Sequence, residues 1–250
     1  MSRWLPRLGA GGFACFVAAA PVVAQVDYRN LDRGRPGRIA DAAPVERYAF
    51  ELTFPYSASF ARGSDRHVGG PHLEYGIARN VSVGVGAELG SGVDEVSLGL
   101  FASPWRETRS LPAIGFSLEV EHPFRNGDLA ATVGLVTTRS FGRSRLHGNF
   151  DLGVVGADPG DRRWTAAFGW DYTLFRTSTL FIAEVAAERR EDIDGLGWTA
   201  AVGIRRQIAP TWVLHAGLGR TFTGPMRATE VQLGLSYVFG IAGLMRRAGR

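Results

Sequence analysis

The stretch Trp164-Thr-Ala-Ala-Phe-Gly-Trp-Asp-Tyr-Thr-Leu174 alternates large apolar side chains with small or polar ones. Successive side chains of a β-strand point to opposite faces, so this stretch has one apolar face and one polar face. A helix would mix the two kinds of residue around its circumference. The stretch therefore predicts a β-strand with an apolar surrounding on one side and water on the other.

The same alternation recurs between residues 46 and 239, in segments separated by turn-forming residues. We predict about twelve strands, at 46–56, 70–78, 81–89, 94–102, 110–121, 128–139, 145–156, 163–174, 178–189, 196–206, 210–221 and 228–239. An even number of strands returns the chain to the side on which it began, with short turns there and longer loops opposite. The pattern predicts an all-β protein, a single up-and-down antiparallel β-barrel that spans a membrane.

The polarity of the two faces distinguishes this barrel from a soluble sandwich or a lipocalin-like barrel, which pack their apolar face inside. Here the polar face holds carboxylates and glycines that could not form a dry core, whereas a water-filled lumen would hydrate them. The carboxylates are Glu51, Glu74, Glu88, Glu95, Glu119, Glu121, Asp151, Asp171, Glu184, Glu188 and Glu230. His147 and His215 share this face, and we count only Arg47 and Arg205 as its guanidinium groups. We therefore expect a lumen that prefers cations.

One strand departs from this pattern. In the segment 178–189, Leu180 and Ile182 share the polar face with Glu184, so the alternation is weaker there.

The N-terminus has the features of a cleaved signal peptide. Arg3 and Arg7 precede an apolar run at 8–20, and Val22-Val-Ala24 provides small residues before a cleavage site. We predict a signal peptide at 1–24 and an outer-membrane location in a Gram-negative bacterium, a membrane anchor being the alternative. The single Cys of the chain, Cys15, would be removed with this segment.

The segment 25–45 precedes the first predicted strand and is rich in arginine. It is either a disordered periplasmic leader or a segment that enters the lumen. About a dozen extended residues reach roughly 40 Å, which exceeds the apolar band of about 25 Å in outer-membrane barrels. We predict the second, in which the segment enters from the periplasmic side and Arg33, Arg35 and Arg38 plug the lumen by pairing with its carboxylates.

The last predicted strand contains Gln232, Gly234, Tyr237 and Phe239. This spacing resembles the β-signal that the barrel-assembly machinery reads, so that machinery and outer-membrane lipid are the expected partners. The barrel should extend over 46–239, followed by a basic tail at 240–250.

A broader resemblance covers most of the chain. Residues 73–85 (Leu-Glu-Tyr-Gly-Ile-Ala-Arg-Asn-Val-Ser-Val-Gly-Val) and 112–119 (Pro-Ala-Ile-Gly-Phe-Ser-Leu-Glu) resemble segments of the outer-membrane family called MetA-pathway of phenol degradation. Residues 33–39 resemble an N-terminal segment of related transporter-like sequences. The resemblance implies an outer-membrane barrel that transports small solutes, and it implies no substrate because these motifs are structural.

Other functions find little support. The candidates for a barrel hydrolase are Ser144, His147, Asn149 and His215. No nucleophile elbow accompanies them, so we expect no catalytic residues and no enzyme.

His67 and His72 lack the spacing of a metal site, and we expect neither metal nor cofactor. The basic residues are scattered outside any nucleic-acid-binding motif, which argues against a nucleic-acid partner. A structural or adhesive barrel remains an alternative to a channel.

Overall fold

The computed structural model describes residues 21–22, 27–31, 36–124, 127–156, 162–190, 195–223 and 226–241. The strands are β1 (Pro21–Val22), β2 (Ala49–Ala61), β3 (Ser64–Gly69), β4 (His72–Ala78), β5 (Val81–Gly90), β6 (Val93–Trp105), β7 (Ala113–Pro123), β8 (Ala130–Phe141), β9 (Ser144–Val155), β10 (Arg162–Leu174), β11 (Thr179–Arg190), β12 (Gly197–Ala209), β13 (Trp212–Thr223) and β14 (Met226–Ile241). A 3-10 turn, Phe175–Thr177, connects β10 to β11.

The strands form a closed antiparallel barrel. From β4 to β14 each strand pairs with the next, and β14 closes the barrel on β2. β3 and β4 together form one barrel strand, because both follow the same register on β2, with Tyr56 opposite Gly69 and Thr53 opposite His72. The predicted barrel of about twelve strands is therefore confirmed. Closure pairs the backbone of the first and last strands, as a lipid environment requires.

β3 was missed by the sequence analysis. Its residues, Ser64–Gly69, are mostly polar and exposed, so they carry no apolar alternation. β2 correspondingly runs to Ala61, beyond the predicted end at 56.

The outer surface of the barrel is apolar. Outward side chains such as Leu98, Phe168 and Val202 are more than half exposed, at 64%, 54% and 58%. Inward positions carry the polar residues, so the two faces have the predicted polarity. Within the described ranges, no helix is long and apolar enough to cross a membrane.

The barrel has two distinct ends. The terminal end holds the start of β2 and the end of β14, and the opposite end is called the loop end here. The loop-end connections at 62–63, 91–92 and 224–225 have only two residues, whereas 106–112 at the terminal end is longer. The predicted longer loops opposite the termini are therefore found at only three of the six connections of that end, 124–129, 156–161 and 191–196. At 91–92, Ser91 (φ 36°) and Gly92 (φ 83°) both adopt the positive φ that a tight type I′ hairpin needs.

The two-residue strand β1 pairs with Gly240 and Ile241 of β14. It belongs to the predicted signal peptide, whose cleavage would remove it. Residues 1–20 of that peptide and residues 242–250 of the predicted tail lie outside the described residues.

Candidate functional site in the barrel lumen

Part of the chain that precedes β2 lies inside the barrel, namely Leu31 and residues 36–45 among the described residues. Leu31 is buried near the terminal end, residues 36–39 lie at mid-barrel, and residues 40–45 return to the terminal end. The Asp41 N–H donates to the Leu31 carbonyl at 3.4 Å, so the two arms of this loop meet at its base. We call Leu31 and residues 36–45 the lumen loop.

The tip of the lumen loop is held through its backbone. The Arg38 N–H donates to both Glu184 oxygens at 2.7 and 2.8 Å, and the Ile39 N–H donates to Glu184 Oε2 at 3.0 Å. The preceding Gly37 N–H donates to Gln232 Oε1 at 2.6 Å. Gly37 has a φ of +106°, which favours glycine and turns the three N–H groups toward the wall. Successive N–H groups of this kind form a nest for an anion, and here the anion is a carboxylate of the wall.

Arg38 also uses its side chain. Its guanidinium donates to Glu188 Oε2 at 2.7 Å, so this residue contacts two carboxylates of β11. Both side chains are about 30% exposed, and the pair faces the open part of the lumen.

A buried polar network holds the base of the loop. Arg145 lies 2.9 Å from Asp41 and 2.6 Å from Asp171, so it joins the loop to the wall. His147 Nε2 lies 2.9 Å from Asp171, and its Nδ1 lies 3.1 Å from the Thr138 hydroxyl. That hydroxyl accepts the Ala42 N–H at 3.0 Å, which leaves its own proton for His147.

The network also reaches Arg29, which precedes the loop, and Ala40 within it. Arg145 donates to the Arg29 carbonyl, and with its amide suitably oriented Asn149 pairs with both the N–H and the carbonyl of Ala40. Side chains of the wall therefore bind the chain at Arg29 and at Ala40, Asp41 and Ala42 of the loop base.

Apolar contacts complete the docking. Leu31 and Ile39 pack against Leu180 and Ile182 of β11, and Leu180 and Ile39 are fully buried. This contact explains why two apolar residues face a polar lumen in the one strand with weak alternation. Gly169 provides the space, because an added Cβ there would overlap the Ile39 side chain.

The structure places the predicted lumen carboxylates in three groups. Asp171, Glu184 and Glu188 contact the loop or its base network, as described above. Glu51 and Glu74 are buried toward the terminal end, where Ser82 donates to Glu74. The remaining six lie toward the loop end: Glu88, Glu95, Glu119, Glu121, Asp151 and Glu230.

The loop-end carboxylates surround open space. A cavity of about 330 Å³ is lined by Glu119, Glu121, Asp151 and Glu188 together with Arg163, and its floor is the lumen loop. A neighbouring cavity of about 240 Å³ is lined by Glu88, Glu230 and His215. These cavities form an acidic vestibule above the loop.

The count of arginines on the lumen face was wrong. Arg145 and Arg163 also face the lumen, the first in the base network and the second over Gly153. Arg190, opposite Arg163, and Arg66, opposite Ser59, share this inward register near the loop end. Arg66 lies in β3, which the sequence did not predict, and the other three stand within two residues of a strand end, where the alternation is too short to assign a face. Arg47 precedes β2, lies over the Tyr48 ring and is exposed, so it is no wall residue.

Of the three arginines predicted to plug the lumen, Arg38 lies in it, and Arg33 and Arg35 lie outside the described residues. The residues that sequence reasoning missed are Thr138 and Arg145, both ordinary strand residues on the inward parity. The inward apolar residues of β11 were the one sequence signal for a docked segment.

The predicted assembly-signal residues have structural contacts of their own. Gln232 binds the loop tip, and Gly234 leaves the room that His215 occupies. Tyr237 and Phe239 face outward in an aromatic ladder across the closure of the barrel. Its ring centroids are 4.5 Å apart for Trp212–Tyr237, 5.2 Å for Phe50–Phe239 and 4.4 Å for Phe50–Tyr75. Their role as an assembly signal stays a prediction.

The side chains of Thr138, His147 and Asp171 follow the order hydroxyl, imidazole, carboxylate. All three are less than 10% exposed, and the hydroxyl is engaged by the loop backbone. The arrangement therefore serves to hold the loop. Among the described residues, no group of three or more His, Cys, Asp or Glu side chains is arranged to hold a metal ion.

No protein-family model and no curated protein matches the chain. Solved structures of similar fold are outer-membrane barrels. The KdgM porin in complex with oligogalacturonate matches with a TM-score of 0.57 and 11% identity, over 74% of this chain and 98% of that one. The NanC porin has the same TM-score with 7% identity, over 74% and 98%. An outer-membrane channel from Pseudomonas putida F1 also scores 0.57, with 13% identity over 80% and 97%. The chain thus shares the fold of outer-membrane porins and channels.

Proposed function

We propose that this protein is an outer-membrane channel for small solutes, closed at rest by the lumen loop. The observation that carries the proposal is the docking of residues 36–45 inside a closed barrel, where the loop obstructs the lumen below the acidic vestibule. The terminal end faces the periplasm in this proposal, and the barrel-assembly machinery inserts the chain after signal-peptide cleavage.

The charge of the vestibule supports a preference for cations. The inward register of the wall holds eleven carboxylates against five arginines, namely Arg66, Arg145, Arg163, Arg190 and Arg205. Arg205 is fully buried, and Arg145 is paired with Asp41 and Asp171. A low-dielectric wall that carries charges of one sign concentrates ions of the opposite charge. The KdgM porin is described with oligogalacturonate, a polycarboxylate. The acidic wall of this chain would repel such a ligand, so we propose small cationic or neutral solutes here. A role in phenol degradation, as the family resemblance implies, stays a prediction.

The alternatives find less support in the geometry. The loop-end connections are short, six residues at most, which gives an adhesive barrel little surface for partners. The hydroxyl–imidazole–carboxylate arrangement is occupied by the loop, which weighs against a hydrolase.

Deletion of residues 25–44 tests the proposal. The purified variant in a planar bilayer should conduct more than the wild type, and its reversal potential in a salt gradient should show cation preference. Different migration of boiled and unboiled samples on a denaturing gel serves as the control for folding. A folded deletion variant with unchanged conductance would overturn the closed-channel proposal, and chloride preference would overturn the assignment of solute charge.

A further inference from the structure

The lumen loop leaves one side of the barrel less tightly closed than the other. On the side of β11–β14 it fills the lumen with charged and hydrogen-bonded contacts to the wall. On the side of β6–β8, space remains both above and below it. The loop-end cavity of about 330 Å³ reaches Glu121 and Arg163 near the loop end. A second cavity, of about 520 Å³, reaches the connections at Asn80 and Glu107 at the terminal end.

A thin apolar layer separates these two cavities. It consists of Phe101 from β6, Val136 from β8 and Ala42 from the lumen loop, which are 5%, 3% and 5% exposed. Ala40 and Phe101 line the upper cavity, and Ala42 lines the lower one, so the cavities approach the layer from opposite faces.

Phe101 provides most of this layer. Its neighbours Val136 and Ala42 are small, and its ring lies over Gly115, where an added Cβ would come 2.5 Å from Cζ. Ala42 contributes only a methyl group and is held in place by the bond from its N–H to Thr138. The neighbouring inward residues are polar or small, such as Ser103 of β6, which lines the lower cavity, and Ser117 of β7, which lines the upper one.

We propose that Phe101 is the gating residue of the pore. Its ring closes the passage on the β6–β8 side, and displacement of the ring joins the two cavities into a path across the barrel while the lumen loop stays docked. A short apolar constriction blocks water and ions by dewetting, and it opens when the apolar group moves aside. This inference rests on the proposed channel function, and it assigns permeation to one side of the loop instead of to its complete withdrawal.

Conductance of full-length Phe101→Ala in planar bilayers tests the gate. We expect a conductance well above that of the wild type, because the two cavities become continuous. The matched control is Phe116→Ala on the neighbouring strand, which removes an identical side chain from the lipid-facing surface, where it is 44% exposed. The control should conduct like the wild type.

A second variant keeps the test decisive if Phe101→Ala fails to fold. In Phe101→Cys with Cys15 removed, a methanethiosulfonate reagent converts the thiolate to a mixed disulfide and releases methanesulfinate. Current through this variant should fall after a bulky reagent of this type is added.

Folded Phe101 variants that conduct like the wild type would overturn the gate, and so would a Cys variant insensitive to the reagent. If the deletion of residues 25–44 opens the barrel and these variants do not, the channel proposal stands and the gate fails. If neither opens it, the channel proposal itself fails.

Discussion

Glu184 is the residue whose substitution should most directly release the lumen loop. Its carboxylate accepts the N–H groups of Arg38 and Ile39 and is 6% exposed. Glu184→Gln retains the size of the side chain, but its amide has one acceptor oxygen and no charge. One loop N–H then keeps a neutral hydrogen bond, and the other faces an NH₂ group.

The expected loss follows from the strength of the two bonds. Hydrogen bonds to a charged group contribute about 1.5–3 kcal/mol each and neutral ones about 1 kcal/mol. Replacement of two charge-assisted bonds by one neutral bond should therefore weaken docking by about 2–5 kcal/mol. Since each 1.4 kcal/mol is a factor of ten, the ratio of undocked to docked loop should rise roughly 30- to 4,000-fold.

Single-channel recording measures this ratio as the open probability of the largest conductance level, the one that the deletion of residues 25–44 also produces; the passage at Phe101 opens with the loop docked and gives a smaller level. Asp151→Asn is the matched control, because it removes one lumen carboxylate that lines the vestibule away from the loop backbone. In the variant that lacks residues 25–44, Glu184→Gln should have no effect on open probability, since the bonds that it weakens are already absent. An equal increase in the Asp151→Asn control, or an increase that persists in the deletion background, would show that charge alone matters and refute the docking argument.

Two further predictions concern the wall. Gly169→Leu should expel the lumen loop, because the new side chain takes the space of Ile39, and conductance should approach that of the deletion variant while the barrel stays heat-modifiable. Wild-type conductance in this variant would contradict the close packing of Ile39 against Gly169. Phe239→Ala should lower the temperature at which the folded band disappears from a denaturing gel, because it removes the stack with Phe50 at the closure of the barrel. An aromatic pair is worth about 0.5–1.5 kcal/mol beyond its area. Phe141→Ala is the control, because Phe141 is 57% exposed on β8, away from the closure. If both variants lower the temperature equally, the stack between Phe50 and Phe239 does not specifically stabilise the closure of the barrel.

The barrel itself could be predicted because its signal is local. Period-two alternation needs only neighbouring residues, so stretches such as Trp164–Leu174 identify a strand and its two faces without knowledge of its partners. The same logic fails at strand ends. β3 has no apolar face to reveal it, and Arg145 and Arg163 stand where too few residues remain to establish a parity.

The docking of the lumen loop could be predicted only in outline. Basic charge in 25–45 and acid on the wall indicated attraction, yet the tip is bound mainly through backbone N–H groups, which no composition reveals. Contacts between residues about 145 positions apart depend on closure of the barrel, and sequence patterns do not encode them. The inward Leu180 and Ile182 were a usable signal, since apolar residues on a wet face need an apolar partner.

The two anchors of the lumen loop differ in what they lose when the loop leaves. At the base, Asp171 keeps Arg145 and His147 as partners whether or not Asp41 is present, so the wall network remains intact. At the tip, Glu184 loses the backbone N–H groups that bind it and must be hydrated by lumen water instead. A buried ion pair repays its desolvation only when its geometry is good, so the base network fixes the position of the loop more than it stabilises docking. The equilibrium between the docked and the undocked lumen loop therefore depends chiefly on the nest at Gly37–Ile39 and on the apolar contact beside it.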